Sequence, residues 1–232
     1  MEIKKLLSDG TSNAKTKKNS RPTKILYLHP SKIEGKEMCP FASEGCRMSC
    51  LNTAGLGGVY PSIQKARINK TRYYVTNKMA FYDQLQKEIN KFALKHAGQS
   101  VAIRLNGTSD QPFVETLLIA QFRTIAPNVI FYDYTKNPKK AGIRILPSGH
   151  KYIVTFSHSE KDDSLNNTLN VLNNGGIAAV VFNKLPNEWN GFTVVDGDMS
   201  DDLMIDLKPG TIIGLKAKGK AKQDTSGFVI RA

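Results

Sequence analysis

Residues 101–127 read VAIRLNGTSDQPFVETLLIAQFRTIAP, and they form a unit that recurs along the chain. An apolar run at 101–105 has the length of a buried strand, and a polar turn at 106–110 follows it. The apolar segment at 112–127, closed by Pro127, is typical of a helix. A strand, a polar turn and a helix in this order predict one unit of a parallel α/β fold.

The same strand pattern occurs in other parts of the chain. Seven segments have it: 25–29, 101–105, 129–134, 152–157, 177–182, 192–196 and 211–216. Helical patterns occur at 61–97, with one break near 76–77, and at 164–176, whereas 137–150 and 184–191 show no clear helix. We therefore predict an α/β fold with parallel strands alternating with helices. A partial (β/α) barrel of about six strands, or a smaller open sheet, fits better than a complete eight-fold barrel.

The charge of the chain indicates the kind of partner. The 232 residues include 33 Lys and Arg against 20 Asp and Glu, which gives a formal net charge of +13. Such a field attracts polyanions, of which nucleic acid is the commonest, although a lysine-rich surface can also serve only solubility. No segment approaches the ~20 apolar residues of a membrane span, and no signal-peptide core is present. We expect a cytoplasmic protein that binds nucleic acid or a nucleotide-bearing substrate, and no membrane.

The first part of the chain differs in composition from the rest. Residues 1–23 are polar and basic, with Lys15, Lys17, Lys18 and Arg21 among them. Such a composition favours a flexible basic arm, which either contacts phosphates or is a solvated tail. We predict that a single α/β domain follows at 24–232, with the cysteine loop at 38–58 as part of it.

All three cysteines, Cys39, Cys46 and Cys50, fall within twelve residues of this loop, in the spacing C-x6-C-x3-C. Clustered thiols favour a metal site, because such a site brings several soft ligands to one centre. A zinc ion would need a fourth ligand, for which His29 is the candidate. A 4Fe–4S cluster would instead leave one iron open to a small molecule. Inert thiols in a reducing cytoplasm are the alternative.

Polar side chains follow most of the predicted strands, and ligands of parallel α/β folds lie at these carboxyl ends. Because side chains alternate along a strand, we expect several of these residues to face one cavity: Arg104, Asn106, Asp133, Thr155 and Ser157. His158 is the candidate acid–base residue, since its reference pKa lies near neutrality. The candidate cofactor-binding residues are Arg104, Asn106, Gly107, Thr108, Asp110, Asp133 and Ser157.

Two motifs carry a resemblance to a known family. The run CPFASEGCRMSCLNTAG at 39–55, together with RLNGTSD at 104–110, resembles the phage gene product 88 family. The resemblance covers roughly residues 25–200. It implies an origin in a bacteriophage or a related mobile element, and expression in a host cytoplasm, but it implies no particular reaction.

The chain also resembles, more loosely, the radical S-adenosylmethionine enzymes. In those enzymes the cluster-binding cysteines follow the first strand of a partial barrel, and a glycine-containing motif at the tip of the second strand holds the methionine end of the cofactor. Here Cys39, Cys46 and Cys50 follow the first predicted strand, and 106–108 lie at the tip of the second. The cysteine spacing differs from the usual C-x3-C-x2-C, and a Gly-Gly-Glu motif is lacking.

Three functions are compatible with these features. The first is a radical-enzyme-like iron–sulfur protein that uses a 4Fe–4S cluster and S-adenosylmethionine to act on nucleic acid or a nucleotide. The second is a non-enzymatic nucleic-acid-binding phage protein with a structural zinc site. The third is a takeover factor that binds a host protein.

Overall fold

The computed structural model describes residues 3–12, 15–30, 32–53, 55–119 and 124–232. Its centre is a sheet of ten strands within these ranges. The strands are β1 (Leu7–Asp9), β2 (Thr23–Leu26), β3 (Val101–Arg104), β4 (Val129–Thr135), β5 (Gly142–Ile145), β6 (Lys151–Ser157), β7 (Ala178–Phe182), β8 (Glu188–Trp189), β9 (Phe192–Asp196) and β10 (Ile212–Lys216). The helices are α1 (Glu44–Met48), α2 (Gly55–Val59), α3 (Pro61–Thr76), α4 (Lys78–Lys95), α5 (Phe113–Ile119) and α6 (Ser164–Asn173).

The strand order is β1-β2-β3-β4-β6-β7-β10-β9-β8, with β5 paired to β6. Strands β2, β3, β4, β6, β7, β10 and β9 are parallel to their neighbours within this series. The prediction of an α/β fold is confirmed, and each of the seven predicted strands is present. The hydrogen-bonded path runs from β1 to β8 without joining its ends, so barrel closure is not shown.

The remaining strands, β1, β5 and β8, are antiparallel to their partners and were not expected from the sequence. Strand β1 is three residues long in a polar segment, and β8 has two residues. Along β5 half-buried and exposed residues alternate, so no continuous apolar run marks it. Short strands of this kind depend on the neighbour that they pair with, and local pattern therefore misses them.

The two faces of the sheet have different partners. On one face, which we call the helical face, Ile103 and Phe131 pack with Tyr74, Phe81 and Leu85 of α3 and α4. On the opposite face, which we call the inner face, alternate residues of the same strands form a second core that includes Ala102, Tyr132, Ile153, Ala179 and Ile213 with Met204 and Ile205. The alternation of side chains along each strand thus separates two environments.

The helices follow the sequence pattern closely where they are described. The predicted break in 61–97 lies at Asn77, which separates α3 from α4 and accepts a hydrogen bond from the Ala80 amide (3.4 Å). Pro61 occupies the first turn of α3, where its missing amide proton costs nothing. None of the described helices combines the length and the hydrophobicity that a bilayer span requires. Of the helix predicted at 112–127, residues 120–123 lie outside the described ranges.

The N-terminal segment differs from the flexible arm predicted at 1–23. Strand β1 pairs with β2, and Leu6 and Leu7 are buried in the main core. The amides of Leu6 and Leu7 donate to the two carboxylate oxygens of Glu88 in α4 (2.8 and 2.9 Å). Two leucines are enough to hold this basic segment against the domain, because burying each leucine side chain stabilises the folded state by about 1.5–3 kcal/mol. Residues 1, 2, 13 and 14 of the predicted arm lie outside the described ranges.

Candidate functional site

One end of the cysteine loop is hydrogen-bonded to the turn that follows β3. The carbonyl oxygen of Met38 accepts hydrogen bonds from the Asp110 amide (2.9 Å) and from Nε2 of Gln111 (3.0 Å). The Gly107 amide donates to the carbonyl oxygen of Leu26 (3.0 Å), and the Thr108 hydroxyl donates to that of Leu28. The chain leaving β2 and the turn after β3 therefore form one hydrogen-bonded unit at the carboxyl edge of the sheet.

Further along the loop, residues 43–45 are hydrogen-bonded to the segment that follows β6. Ser43 caps α1 by accepting from the Cys46 amide (3.2 Å), and its hydroxyl donates to Oε2 of Glu160 (2.7 Å). The Gly45 amide donates to Oε1 of the same carboxylate (2.7 Å). A carboxylate near the N-terminus of a helix is favourable, because the first amides there have no partner within the helix. The loop thus spans the carboxyl edge from β3 to β6.

The three cysteines come together on this edge as free, half-buried thiols. Burial raises the pKa of the Cys39 thiol, and Cys50, Asp110 and Cys46 raise it further. Burial also raises the pKa of Cys46; Lys136 opposes this rise and Cys50 adds to it. Each thiol is therefore within electrostatic range of the other two. Among the described residues, however, no group of three or more His, Cys, Asp or Glu side chains has an arrangement ready to hold a metal ion.

A cation at this position would fit the chemistry of the thiols. With raised pKa values the thiols of Cys39 and Cys46 stay protonated at neutral pH, and a positive charge nearby would favour their thiolates. Three soft sulfur donors without a fourth are the protein ligands that a 4Fe–4S cluster with one open iron requires. Three sulfur donors are the number that such a cluster needs, and a tetrahedral zinc ion needs a further ligand, but in the described residues the thiols are not grouped as a metal site requires.

A half-buried lysine, Lys136, lies close to the loop, within electrostatic range of Cys46. Nζ of Lys136 donates to the carbonyl oxygen and hydroxyl of Ser157 (3.1 and 3.0 Å) and to the carbonyl oxygen of His158 (2.8 Å). Burial lowers the pKa of Lys136, and the neighbouring Cys46, Glu160 and Asp110 oppose that effect. Sequence reasoning did not select Lys136 and Glu160 as site residues. The sequence feature that could have selected them is their position just after the ends of predicted strands.

Asp110 joins the site from the turn after β3. Its carboxylate accepts from the Thr135 hydroxyl (3.0 Å to each oxygen) and from the Lys136 amide (3.1 Å). Burial raises the pKa of Asp110, and the hydrogen bonds from Lys136 and Thr135 oppose this rise. Asp110 also interacts electrostatically with Cys39. Because Sγ of Cys39 also lies 3.8 Å from the carbonyl oxygen of Thr108, two of the predicted cofactor-binding residues, Thr108 and Asp110, lie beside a cysteine.

Asn106 and Asp133 form a separate, fully bonded pair. Oδ1 of Asp133 accepts from the Asn106 amide (2.7 Å), and Oδ2 accepts from Nδ2 of Asn106 (3.1 Å) and from the Tyr152 hydroxyl (3.3 Å). The side-chain oxygen of Asn106 accepts from the Gln111 amide (2.8 Å). Burial raises the pKa of Asp133 to about 7. These bonds shape the turn that holds Asp110.

The prediction that Arg104, Asn106, Asp133, Thr155 and Ser157 face one cavity is wrong for Asp133. Asp133 lies on the helical face, since it alternates with the inner-face residue Tyr132 and bonds Tyr152 of the main core. Strand β3 ends at Arg104, so strand alternation does not place Asn106. Arg104, Thr155 and Ser157 belong to the inner face.

Of the two predicted histidines, His158 has structural partners. His158 is buried, and its Nδ1 lies 2.9 Å from the Thr168 hydroxyl and 3.2 Å from that of Ser164. Burial, together with Lys136, lowers the pKa of His158 to about 4, so the ring is neutral at pH 7. Burial and Arg67 lower the pKa of His29. Within the described ranges His29 is not grouped with the cysteines as a metal ligand, and a catalytic role of His158 stays a prediction.

Gly107 allows the turn after β3 to approach β2. A Cβ atom at this position would lie 2.6 Å from Cδ1 of Tyr27 and 2.8 Å from the carbonyl oxygen of Leu26. We expect Gly107→Ala to destabilise the protein by about 1–3 kcal/mol, because backbone must move to accept the methyl group. Urea unfolding of the variant measures this loss. Gly98→Ala is the control, since no atom lies within 4 Å of its Cβ position; equal stability of the two variants would contradict the prediction.

These features define an α/β protein in which a loop with three free cysteines covers the carboxyl edge of a mostly parallel sheet. The chain belongs to the gene product 88 family, whose model matches residues 3–232. This match extends beyond the segment that carried the resemblance, and it supports a bacteriophage origin. Searches of curated proteins and of solved structures found no significant match.

Proposed function

We propose that this phage protein is an iron–sulfur protein of the radical S-adenosylmethionine type, with Cys39, Cys46 and Cys50 as cluster ligands. The observation that carries the proposal is the convergence of three free thiols at the carboxyl edge of a parallel sheet. In folds of this kind the carboxyl edge is where reacting groups gather. A cluster with one open iron supplies an electron and a binding position for a small molecule.

The residues around the thiols have distinct roles in this proposal. Gly107 lets the backbone pass close to a bound cofactor, and Asp110 offers a carboxylate to its amino group. Lys136 and Glu160 keep the loop and the strand ends together through their hydrogen bonds. Asn106 and Asp133 act indirectly, by fixing the turn, because they bond each other and Asp133 lies on the helical face with Tyr152.

Nucleic acid or a nucleotide is the proposed substrate class. The net charge of +13 favours a polyanion. A groove of about 510 Å³ beside the cysteine loop is lined by Lys65, Asn69 and Arg72 of α3 among others. Tyr60, about half exposed, stands at the start of that helix. Lysine and arginine side chains along a groove are the elements with which proteins hold phosphate groups.

Metal and sulfide analysis of anaerobically purified protein tests the proposal. We expect about four irons and four sulfides per chain, with broad absorption near 400 nm, and loss of all three in Cys39→Ala, Cys46→Ala or Cys50→Ala. Ser49→Ala, in the same loop, is the control that keeps the thiols. One zinc ion and no colour would overturn the proposal in favour of the structural zinc site, and no metal at all would exclude both.

A further inference from the structure

Exposed lysines gather at the carboxyl ends of β7 and β10, on the part of the edge that lies beyond β6. Strand β10 ends at Lys216, which pairs with Phe182 at the end of β7. A 3₁₀ helix (Gly219–Gln223) follows β10 after two residues. The lysines of these two strand ends and of the 3₁₀ helix are all exposed, and we call them the lysine patch: Lys184, Lys216, Lys218, Lys220 and Lys222.

The backbone that carries the lysine patch packs against the cysteine loop. Ala221 and Phe228 are buried together, and Cys46 and Ala217 pack against them. Along 216–222 the alanines are therefore turned towards the loop, whereas the lysines between them are in contact with solvent. A ligand held by these lysines would lie beside Cys46.

Two lysines of the patch, Lys220 and Lys222, form no ion pair with any residue in the part of the chain that the structure describes. The next acidic residue along the chain is Asp224, which is almost fully buried. Its carboxylate accepts from the Ser226 hydroxyl (2.6 Å) and from the Val229 amide (3.0 Å). Both lysine charges are therefore available to an anionic ligand.

The pairs formed by two other lysines of the patch are weak. Nζ of Lys216 lies 3.3 Å from Asp196, and Nζ of Lys218 lies 2.6 Å from Asp198. Both lysine side chains are more than half exposed, and exposed pairs of this kind contribute about 0–1 kcal/mol. A phosphate group can therefore replace either carboxylate at little cost.

A groove of about 400 Å³ beside the patch gives a ligand room. It is lined by residues 184–187 and Ala232. Lys184 and Asn187 are exposed, so the groove is open to solvent, and the half-buried Leu185 and Pro186 give it an apolar wall. An apolar wall with a few polar groups suits the sugar or base of a nucleotide whose phosphate lies on the lysines.

The extent of the patch indicates a polymer rather than a single nucleotide. Lys216 and Lys218 are separated by roughly 7 Å, because extended backbone advances about 3.3 Å per residue. Lys184 follows the neighbouring strand, about 4.8 Å to one side, and the 3₁₀ helix continues the row in the other direction. A mononucleotide carries its phosphates at one point, whereas the successive phosphates of a strand meet several lysines in turn.

We propose that the lysine patch holds the phosphate backbone of a nucleic acid strand and so brings one of its nucleotides to the cysteine loop. Lysine contacts phosphate as a point charge, so this surface positions the strand without reading its sequence. The inference rests on the nucleic-acid part of the proposed function, and it adds a binding surface at β7 and β10 to the groove beside α3. It needs no cluster.

Fluorescence anisotropy with a labelled single-stranded DNA of about 16 nucleotides, the upper end of common site sizes, tests the inference. We expect the double variant Lys220→Gln, Lys222→Gln to bind at least about tenfold more weakly at ~50 mM salt. Between ~50 and ~200 mM salt, its slope of log affinity against log salt should be smaller by about 1.4, since each phosphate contact of a single strand contributes about 0.7. Lys87→Gln, Lys91→Gln is the matched control, because these exposed lysines of α4 give the same change in net charge. It should bind as the wild type does.

Three results would overturn the inference: no binding to the wild type, equal affinity and salt slope of the two double variants, or poly-L-glutamate that competes as well as the oligonucleotide. The last result would indicate an acidic protein as the partner. Because all four substituted lysines are exposed, both variants should keep the thermal midpoint and the metal content of the wild type. Failure of this titration therefore leaves the cluster proposal untouched, and failure of the iron analysis leaves the lysine patch untouched.

Discussion

Asp201→Ala should destabilise the protein by about 3–5 kcal/mol, the range expected when one partner of a buried ion pair is removed. Asp201 is almost fully buried, and its carboxylate is bonded to Arg104, Lys15 and Tyr132. Burial acts to raise the pKa of Asp201, but Arg104 and Lys15 outweigh it and the pKa is lowered. Without this carboxylate, two cations on the inner face lose their shared partner. Urea unfolding followed by circular dichroism measures the loss.

A surface pair provides the comparison for Asp201→Ala. Asp196 lies 3.3 Å from Lys216, their side chains are 36% and 53% exposed, and the Asp196 carboxylate also accepts from the Asp198 amide (2.8 Å). Exposed pairs of this kind contribute about 0–1 kcal/mol, so Asp196→Ala should change stability little. If both variants lose less than about 1 kcal/mol, the inner-face carboxylate is not the anchor that its contacts indicate.

Glu160→Ala should destabilise the protein by about 2–4 kcal/mol and expose the cysteine loop, since hydrogen bonds to a charged group contribute about 1.5–3 kcal/mol each. The substitution leaves the Gly45 amide and the Ser43 hydroxyl without their acceptor. Because Ser43 caps the helix that carries Cys46, alkylation of Cys46 should become faster. Denaturant unfolding and timed reaction with iodoacetamide measure the two effects.

The pH dependence of this variant provides a second check. Burial acts to raise the pKa of Glu160, but hydrogen bonds from backbone amides and Ser43 outweigh it and the pKa is lowered from 4.5. A lowered folded-state pKa stabilises the protein above the unfolded value, and the contribution is lost as the pH falls through the folded pKa. The stability difference between wild type and Glu160→Ala should therefore be constant above about pH 5 and shrink below it. Asp162→Ala, an exposed neighbour, should show neither effect.

The strands of the parallel series were predictable because each is a short apolar run bounded by polar residues. The break between α3 and α4 was predictable for a similar reason, since the apolar period is interrupted near Asn77. Strand β1 was not predictable, because three residues in a basic segment become a strand only when β2 provides their hydrogen-bond partners. The same holds for the helix cap at Ser43, whose carboxylate partner is 117 residues away.

The candidate site likewise has features that the sequence predicts and features that depend on tertiary contacts. The clustering of Cys39, Cys46 and Cys50 is a property of the sequence, and so is the polar turn after β3. Whether the loop meets the ends of β4 and β6 depends on contacts such as those of Lys136 and Glu160, which no local pattern contains.

Local sequence pattern was sufficient to predict parallel strands with helices between them, polar residues at the strand ends and three thiols in one loop. The packing of the folded chain was needed to show that Arg104 and Asp133 lie on opposite faces of the sheet, and that Asp201 is the partner of Arg104. The physical reason is that local periodicity reports which residues avoid water. Strand register and contacts between distant segments decide which buried residues meet.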